Sequence, residues 1–516
     1  METVQDKESV HDLLELTVKE YGDREAMYDQ ISRLSYEELL EQSNKVAQGM
    51  KDLGVTKGDK VGVCLPNWNE TVIVFFASAM LGAVVVPFNT MYRSHEIEFI
   101  LKDAEPKALY VSEQILENGN VETIAELVPS IVSVRFENEL MISFRELLQS
   151  NDGKEVKKEV VDASKDLLCI LYTSGTTGRP KGVMITHQSV SKCALAVVEE
   201  MQCTDKDVFL VPAPLFHIFG IACNLIAAVG AGARMVLMEK FKPRQALELI
   251  EQEQVTVQQG VPTMFLKEIE VDGFEQYNLS SLRTGMVGAA PISPEQMKKI
   301  RKKMNFHLCQ SFGSSETSGG VTINKINDDE TEILETVGKP FQGIQLKIVD
   351  EQREKLPVGY TGEIAVNSFG NMKGYYKMPV KTAEILDNEG WYYTGDLGAI
   401  DERGNLRLVG RVKEMIVRGG FNIYPQEIEA LLHKHDSIST AAVIGLPDET
   451  LGEVVCAVIQ LRLGEKMTEA EVKDYVSAHL AVYKTPASII FTDHLPMTAS
   501  GKIQKGKLRE QISGQY

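Results

Sequence analysis

The sequence has no excess of basic charge. Of its 516 residues, 54 are Lys or Arg and 73 are Asp or Glu, a formal net charge of −19. So acidic a chain repels nucleic acid as a polymer, and no nucleic-acid partner is expected. Cysteine is sparse. The seven, Cys64, Cys169, Cys193, Cys203, Cys223, Cys309 and Cys456, are odd in number, form no CxxC and lie mostly in apolar runs. That excludes a disulfide scaffold and predicts reduced, buried thiols in a cytoplasmic protein. The first 25 residues carry many acids and lack the basic start and apolar centre of a signal peptide. No clean run of about 20 apolar residues offers a transmembrane segment. Thr71–Tyr92 is uncharged but broken by Gly82 and Pro87, and Val208–Ala233 holds Pro212, Pro214, His217 and three glycines. Both read as buried core. Internal repeats, low-complexity linkers and a His/Cys metal cluster are all missing.

What remains is a chain of ordinary globular composition, 43% apolar and 25% charged. Its length alone suggests three or four units of about 150 residues. From Lys165 onward short apolar strands alternate with helices. LLCILYTS, FLVPAPL, ARMVLME, VTVQQGVP and FHLCQSFG read as strands; PRQALELIEQE and SPEQMKKIRKKM read as helices. In the last of these Ser293 is the expected N-cap, Pro294 fits the first helical position and Gln296 can close a capping box. The alternation predicts an α/β fold with a doubly wound, mostly parallel sheet. Beyond Lys413 a smaller mixture follows: helix YPQEIEALLHKH, strands TAAVIGL and VVCAVIQL, helix TEAEVKDYVSAHL and strand SIIFT. It reads as a separate small α+β unit. Lys505, Lys507 and Arg509 read as a solvated basic tail, and His433 and His435 as solvated.

The sharpest feature is YTSGTTGRPKG, Tyr172–Gly182. Gly175, Gly178 and Gly182 let the backbone turn and approach a ligand closely. Thr173, Ser174, Thr176 and Thr177 offer hydroxyls and Lys181 a point charge, a donor set suited to phosphate oxygens. The Walker A order, glycine then lysine then a hydroxyl residue, is absent.

This loop resembles the signature of the adenylate-forming superfamily, which holds acyl-CoA synthetases, peptide-synthetase adenylation domains and firefly-type luciferases. The resemblance recurs in order along nearly the whole chain: PLFHIFG at Pro214–Gly220, GAAP at Gly288–Pro291, FGSSET at Phe312–Thr317, YYTGDLG at Tyr392–Gly398, GRVKEMIVRGGFNIYPQEIE at Gly410–Glu429 and PMTASGK at Pro496–Lys502. It implies a large N-terminal domain, 1–412, of doubly wound mostly parallel sheets plus a β-subdomain, and a small mobile α+β domain, 413–516, hinged at Lys413. It implies two half-reactions: a carboxylate attacks the α-phosphate of ATP and expels pyrophosphate, then the acyl group passes to the thiol of coenzyme A.

The site residues follow from the same resemblance. Thr173 to Gly178 and Lys181 would hold phosphates. Glu316 would stand on the side of a Mg²⁺ ion. Phe312, Gly313 and Ser315 would line the nucleotide opposite Gly288, Ala289 and Ala290; Phe312 and Ser315 replace the family's usual tyrosine and threonine. Asp396 would accept from both ribose hydroxyls and Arg411 would supply a fork of donors. Lys502 would reach across the domain gap to the reacting carboxylate and α-phosphate. His217 would position or gate the acid. Gly419 and Gly420 would leave a narrow path for the pantetheine arm. The acyl pocket, His217–Leu225, Gln259–Phe265 and Gly285–Ala290, is rich in apolar residues and fits a fatty or aromatic acid. Text such as GVPTMF is similar to medium- or long-chain fatty-acid–CoA ligases. The second reading is an aryl or other carboxylic acid–CoA ligase, or an adenylation enzyme that loads an acyl-carrier protein. A non-catalytic acyl sensor would have lost Lys502 or Glu316, and both are present. The implied partners are the acid, ATP and CoA; a homodimer is compatible with them.

Overall fold

The computed structural model describes residues 9–154, 156–173, 180–497 and 503–513. Ser174, Gly175, Thr176, Thr177, Gly178 and Lys502 lie outside the described residues.

Two large sheets carry the body. In the nine-stranded sheet His307–Ser314, Thr284–Val287, Val257–Gly260, Val208–Val211, Arg234–Leu237 and Glu25–Tyr28 run parallel in that spatial order, with antiparallel edges at both ends. In the eight-stranded sheet Leu167–Thr173, Val84–Pro87, Lys60–Cys64, Ala108–Val111, Ser130–Ser133 and Ile142–Ser143 are parallel. Lys181–Thr186 runs antiparallel beside Leu167–Thr173, so two paired strands flank the phosphate-loop sequence. The strands expected after Lys165 are present. Five parallel strands before Leu167, Glu25–Tyr28, Lys60–Cys64, Ala108–Val111, Ser130–Ser133 and Ile142–Ser143, were not read individually from the sequence.

Parallel strands covered on both faces read as continuous apolar runs. Val84–Pro87 is buried along its whole length, and helix Asn69–Met80 is buried at every position but Glu70. That explains the uncharged stretch Thr71–Tyr92: one buried helix, a turn at Gly82 and one buried strand. The same apolar cluster draws side chains from both large sheets, among them Val85, Phe209 and Met235, and from helix residue Phe76. Each fully buried Phe or Val contributes about 1.5–3 kcal/mol, so this shared core locks the sheets together. Among the described residues no helix is long and apolar enough to cross a membrane. All seven cysteines are buried and unbridged.

Capping follows the sequence. The Ser293 hydroxyl accepts from Gln296 N, and the Gln296 side chain accepts from Ser293 N, at the head of helix Pro294–Met304. A four-stranded antiparallel sheet, Gln345–Val349, Gly362–Asn367, Tyr392–Ile400 and Leu406–Arg411, forms the β-subdomain. A single 3₁₀ turn, Val412–Glu414, then leads to a separate five-stranded sheet. There the long strands Ile438–Asp448 and Gly452–Leu461 pair antiparallel, with helices Pro425–Leu432 and Glu469–His479 packed beside them.

Candidate active site

In the nine-stranded sheet the chain leaves Val208–Val211 toward one edge and returns at Val257–Gly260 to build toward the other. Open α/β sheets bind ligands outside the carboxyl ends of the strands at such a switch. His217 follows the first of these strands, and Gly260, Gly288 and the Glu316 turn follow its neighbours.

Local chemistry sets each position. Gly220 can only be glycine, because a Cβ there would lie 2.2 Å from the Pro214 carbonyl oxygen. That close approach starts a π-helical segment, Phe219–Ile226, directly after His217. The His217 ring nitrogen Nδ1 accepts from Phe219 N at 3.2 Å. A neutral ring then carries its hydrogen on Nε2, the polarity that suits a carboxylate oxygen. The segment packs on the site walls: a Cβ on Gly288 would meet Phe219, and one on Gly319 would meet Ala222 and Cys223. Gly313 is equally constrained, since a Cβ would fall 1.7 Å from the Gly319 carbonyl oxygen. Backbone packing, independent of any ligand, therefore requires this glycine. Phe312 is 8% exposed and Ser315 is buried. Ala289 holds φ 64°, a left-handed conformation rare outside glycine, where the chain leaves Thr284–Val287.

Glu316 sits on the 3₁₀ turn Ser315–Thr317 between Ser314 and Gly319, whose strands pair antiparallel. Its Oε1 accepts from the Tyr375 hydroxyl at 2.9 Å. The same hydroxyl accepts from Lys181 Nζ at 3.1 Å, and the ammonium lies 4.3 Å from the Tyr375 ring centroid. Thr173, at the other end of the phosphate loop, donates from its hydroxyl to the Lys181 carbonyl at 3.5 Å. Burial lowers the pKa of Lys181; the charge of Lys413 adds to this and Glu316 opposes it. Burial and then the Glu316 carboxylate raise the pKa of Tyr375. Tyr392 is raised by burial first and then by Glu316, Tyr375 and Asp396, so its ring links the two acidic centres. Asp396 and Arg411 face each other across paired strands, with Oδ1 2.8 Å from Nε. Asp396 is largely covered and Arg411 is exposed. The Asp396 charge is the main cause raising the arginine pKa.

Thr173, Lys181, Glu316, Asp396, Arg411 and Lys413 thus belong to one neighbourhood, with Gly288 and the His217 segment forming its apolar wall. Gly419 and Gly420 stand apart from it. They are the two-residue turn between Ile416–Arg418 and Phe421–Ile423, with φ 57° and 85°. Such a turn needs positive φ at both positions, which glycine supplies. The hairpin itself therefore accounts for both glycines.

The sequence missed three groups. Tyr375 and Tyr392 drew no role, although GYY and WYYTGD mark both. Lys505 is not a solvated tail residue: it is 16% exposed, 3.1 Å from Glu414 and 2.8 Å from Glu429. Burial alone would lower its pKa, but the two carboxylates outweigh burial and raise it. Arg509 is exposed as expected, though it pairs with Glu453 at 2.7 Å. His433 is half-buried, and its Nε2 accepts from Ala441 N.

Residues 14–376 match the AMP-binding enzyme family, and residues 427–502 match the C-terminal domain of AMP-binding enzymes. The chain belongs to this family. It is 36% identical to YngI of Bacillus subtilis (strain 168), a protein named as an acyl-CoA synthetase, over 97% of this chain and 96% of that one. It is 30% identical to the mitochondrial medium-chain acyl-CoA ligase ACSF2 of Macaca fascicularis, over 97% of this chain and 86% of the relative. Among solved structures, the anthranilate CoA ligase AuaEII in complex with anthranoyl-AMP superposes with a TM-score of 0.91 at 26% identity, covering 99% of this chain and 98% of that one. The adenylate-forming resemblance and the fold class it implied hold.

Proposed function

We propose that the protein is an ATP- and CoA-dependent acid–CoA ligase. It adenylates a carboxylic acid, a fatty acid of medium or long chain, and passes the acyl group to the CoA thiol. The observation that carries this reading is the convergence of Lys181 and Glu316 on one phenol oxygen, beside the paired strands that flank the phosphate-loop sequence. Both reactants are anions. The site must supply fixed positive charge and oriented donors where negative charge gathers. Lys181 would meet the outer phosphates, Asp396 the ribose hydroxyls and Arg411 the nucleotide. His217 Nε2–H would hold one carboxylate oxygen, leaving the other to attack. Lys502 would neutralise charge between acid and α-phosphate.

One carboxylate is enough for the metal expected here. Mg²⁺ is commonly held by one or two carboxylates, with phosphates and waters completing its octahedron. Among the described residues no cluster of three or more acidic, His or Cys ligands exists, and the single Glu316 carboxylate fits that pattern. Bound there, the ion would draw charge from the phosphate oxygens. The preference for an apolar acid rests on the buried wall of Ile221, Ala222 and Leu225 with Met264 and Phe265. The division into 1–412 and 413–516 is supported by the break at Val412–Glu414 and by the Lys505 tie, which binds Glu414 to the small domain. AMP release measured with CoA across fatty, aryl and dicarboxylic acids tests the reading. Turnover that needs a carrier protein in place of CoA, or that favours aryl over fatty acids, would refute it.

A further inference from the structure

We infer that Tyr375 is a positioning residue for ATP: its hydroxyl keeps Lys181 and Glu316 from neutralising each other, so that both face the triphosphate. This rests on the proposed ligase function.

The phenol is the rigid member of the trio. Tyr375 pairs with Val183 in an antiparallel bridge, and its N–H donates to Thr382 Oγ1 at 2.8 Å. A Cβ on the preceding Gly374 would lie 2.7 Å from Thr382, so the chain is fitted closely there. The ring is 4% exposed and has little freedom to turn. Lys181 and Glu316 arrive on different elements, one on the strand after the phosphate loop and one on the 3₁₀ turn. Each spends one hydrogen bond on the same oxygen, with the hydroxyl hydrogen going to the carboxylate and the ammonium hydrogen going to the lone pair. A half-buried ammonium and carboxylate attract strongly when no group stands between them. The hydroxyl satisfies both at its own position, and the ring face holds the ammonium from below. Either charge can exchange this single bond for a ligand contact.

Tyr375→Phe removes only the oxygen and keeps the packed ring. Lys181 and Glu316 are then expected to pair directly, and ATP must break that pair to bind. Isothermal titration calorimetry with Mg·ATP, in the absence of acid, should show affinity weakened about tenfold or more, in line with the loss of a charged hydrogen bond. AMP lacks the β- and γ-phosphates, and its affinity should change less than about twofold on the same reasoning. In a Lys181→Met background the Tyr375→Phe loss for Mg·ATP should largely vanish, because its target is gone. Equal Mg·ATP affinity in wild type and Tyr375→Phe overturns the inference. So does a loss that extends equally to AMP, or one that persists in full without Lys181. A wild-type protein that binds neither nucleotide would instead overturn the ligase reading.

Discussion

Glu268 closes helix Pro262–Glu268, the segment expected to carry one wall of an acyl pocket, and it is fully buried. Its Oε1 accepts from Gln258 Nε2 at 2.7 Å. Its Oε2 and the Gln258 Oε1 have no other partner. A protonated carboxyl can donate from Oε2 to that amide oxygen and close a two-bond ring, so a neutral Glu268 resolves both. Burial pushes its pKa up from 4.5 to about 8, with the Gln258 bond opposing in part. The folded state therefore keeps a proton that the unfolded chain releases above pH 4.5. Stability contributed by the neutral form is full at low pH, declines as pH rises from 4.5 to about 8, and is flat beyond. The slope is about 1.4 kcal/mol per pH unit. Glu268→Gln offers the same two-bond ring without a titrating group. The unfolding free energy of the variant minus that of wild type should rise by roughly 3 kcal/mol between pH 5.5 and 7.5. Urea unfolding of both proteins at pH 5.5, 6.5 and 7.5 measures it. A difference that stays constant across those values would refute a neutral Glu268.

Four other substitutions probe the site. Lys502→Ala should nearly abolish acyl-adenylate formation, read by pyrophosphate release, while thioester formation from preformed adenylate survives; wild-type adenylation would remove Lys502 from that role. Lys413→Pro should impair thioester formation more than adenylation, and equal loss of both would count against the hinge. Lys505→Met strands Glu414 and Glu429 without their cation; a cost of roughly 3 kcal/mol, the low end for a broken buried pair, should appear as lower thermal stability of the small domain. Asp396→Asn should weaken binding of ATP more than of a 2′,3′-dideoxy analogue, measured by calorimetry, because the missing acceptor serves the ribose hydroxyls.

What the sequence reveals here is local. Ser293, Pro294 and Gln296 form their cap within four residues, so the motif and the bond coincide. Leu167–Thr173 is a β-branched and aromatic run that ends in a glycine-rich turn, and it needs no partner to be read. Ala108–Val111 and Ser130–Ser133 are four-residue runs whose strand character comes from their neighbours in the sheet. Tyr375 is legible as an aromatic but not as a bridge, because the bridge depends on pairing with Val183 and on the Glu316 turn. Lys505 sits in a basic run that looks solvated until helix Pro425–Leu432 and the Val412–Glu414 turn bring their carboxylates to it. Gly313, a motif glycine expected at the nucleotide, is also demanded by the Gly319 carbonyl across the strand pair, a requirement the sequence does not display.

The acidic balance of the chain then takes on a different meaning. Most charges around the site are already committed: Arg411 to Asp396, and Lys505 to Glu414 and Glu429. Lys181 is different: burial lowers its pKa, and the charge of Lys413 adds to that effect while Glu316 opposes it. Folding alone gives little return for covering the Lys181 ammonium, which is half-buried while Lys413 is exposed. A polyanion bound beside Lys181 would give that return, since it would restore the proton affinity that burial removed. The net charge of −19 describes the outer surface and its solubility. The sign that would matter for ATP is set within a few side chains, where Lys181 and Glu316 meet at one tyrosine hydroxyl.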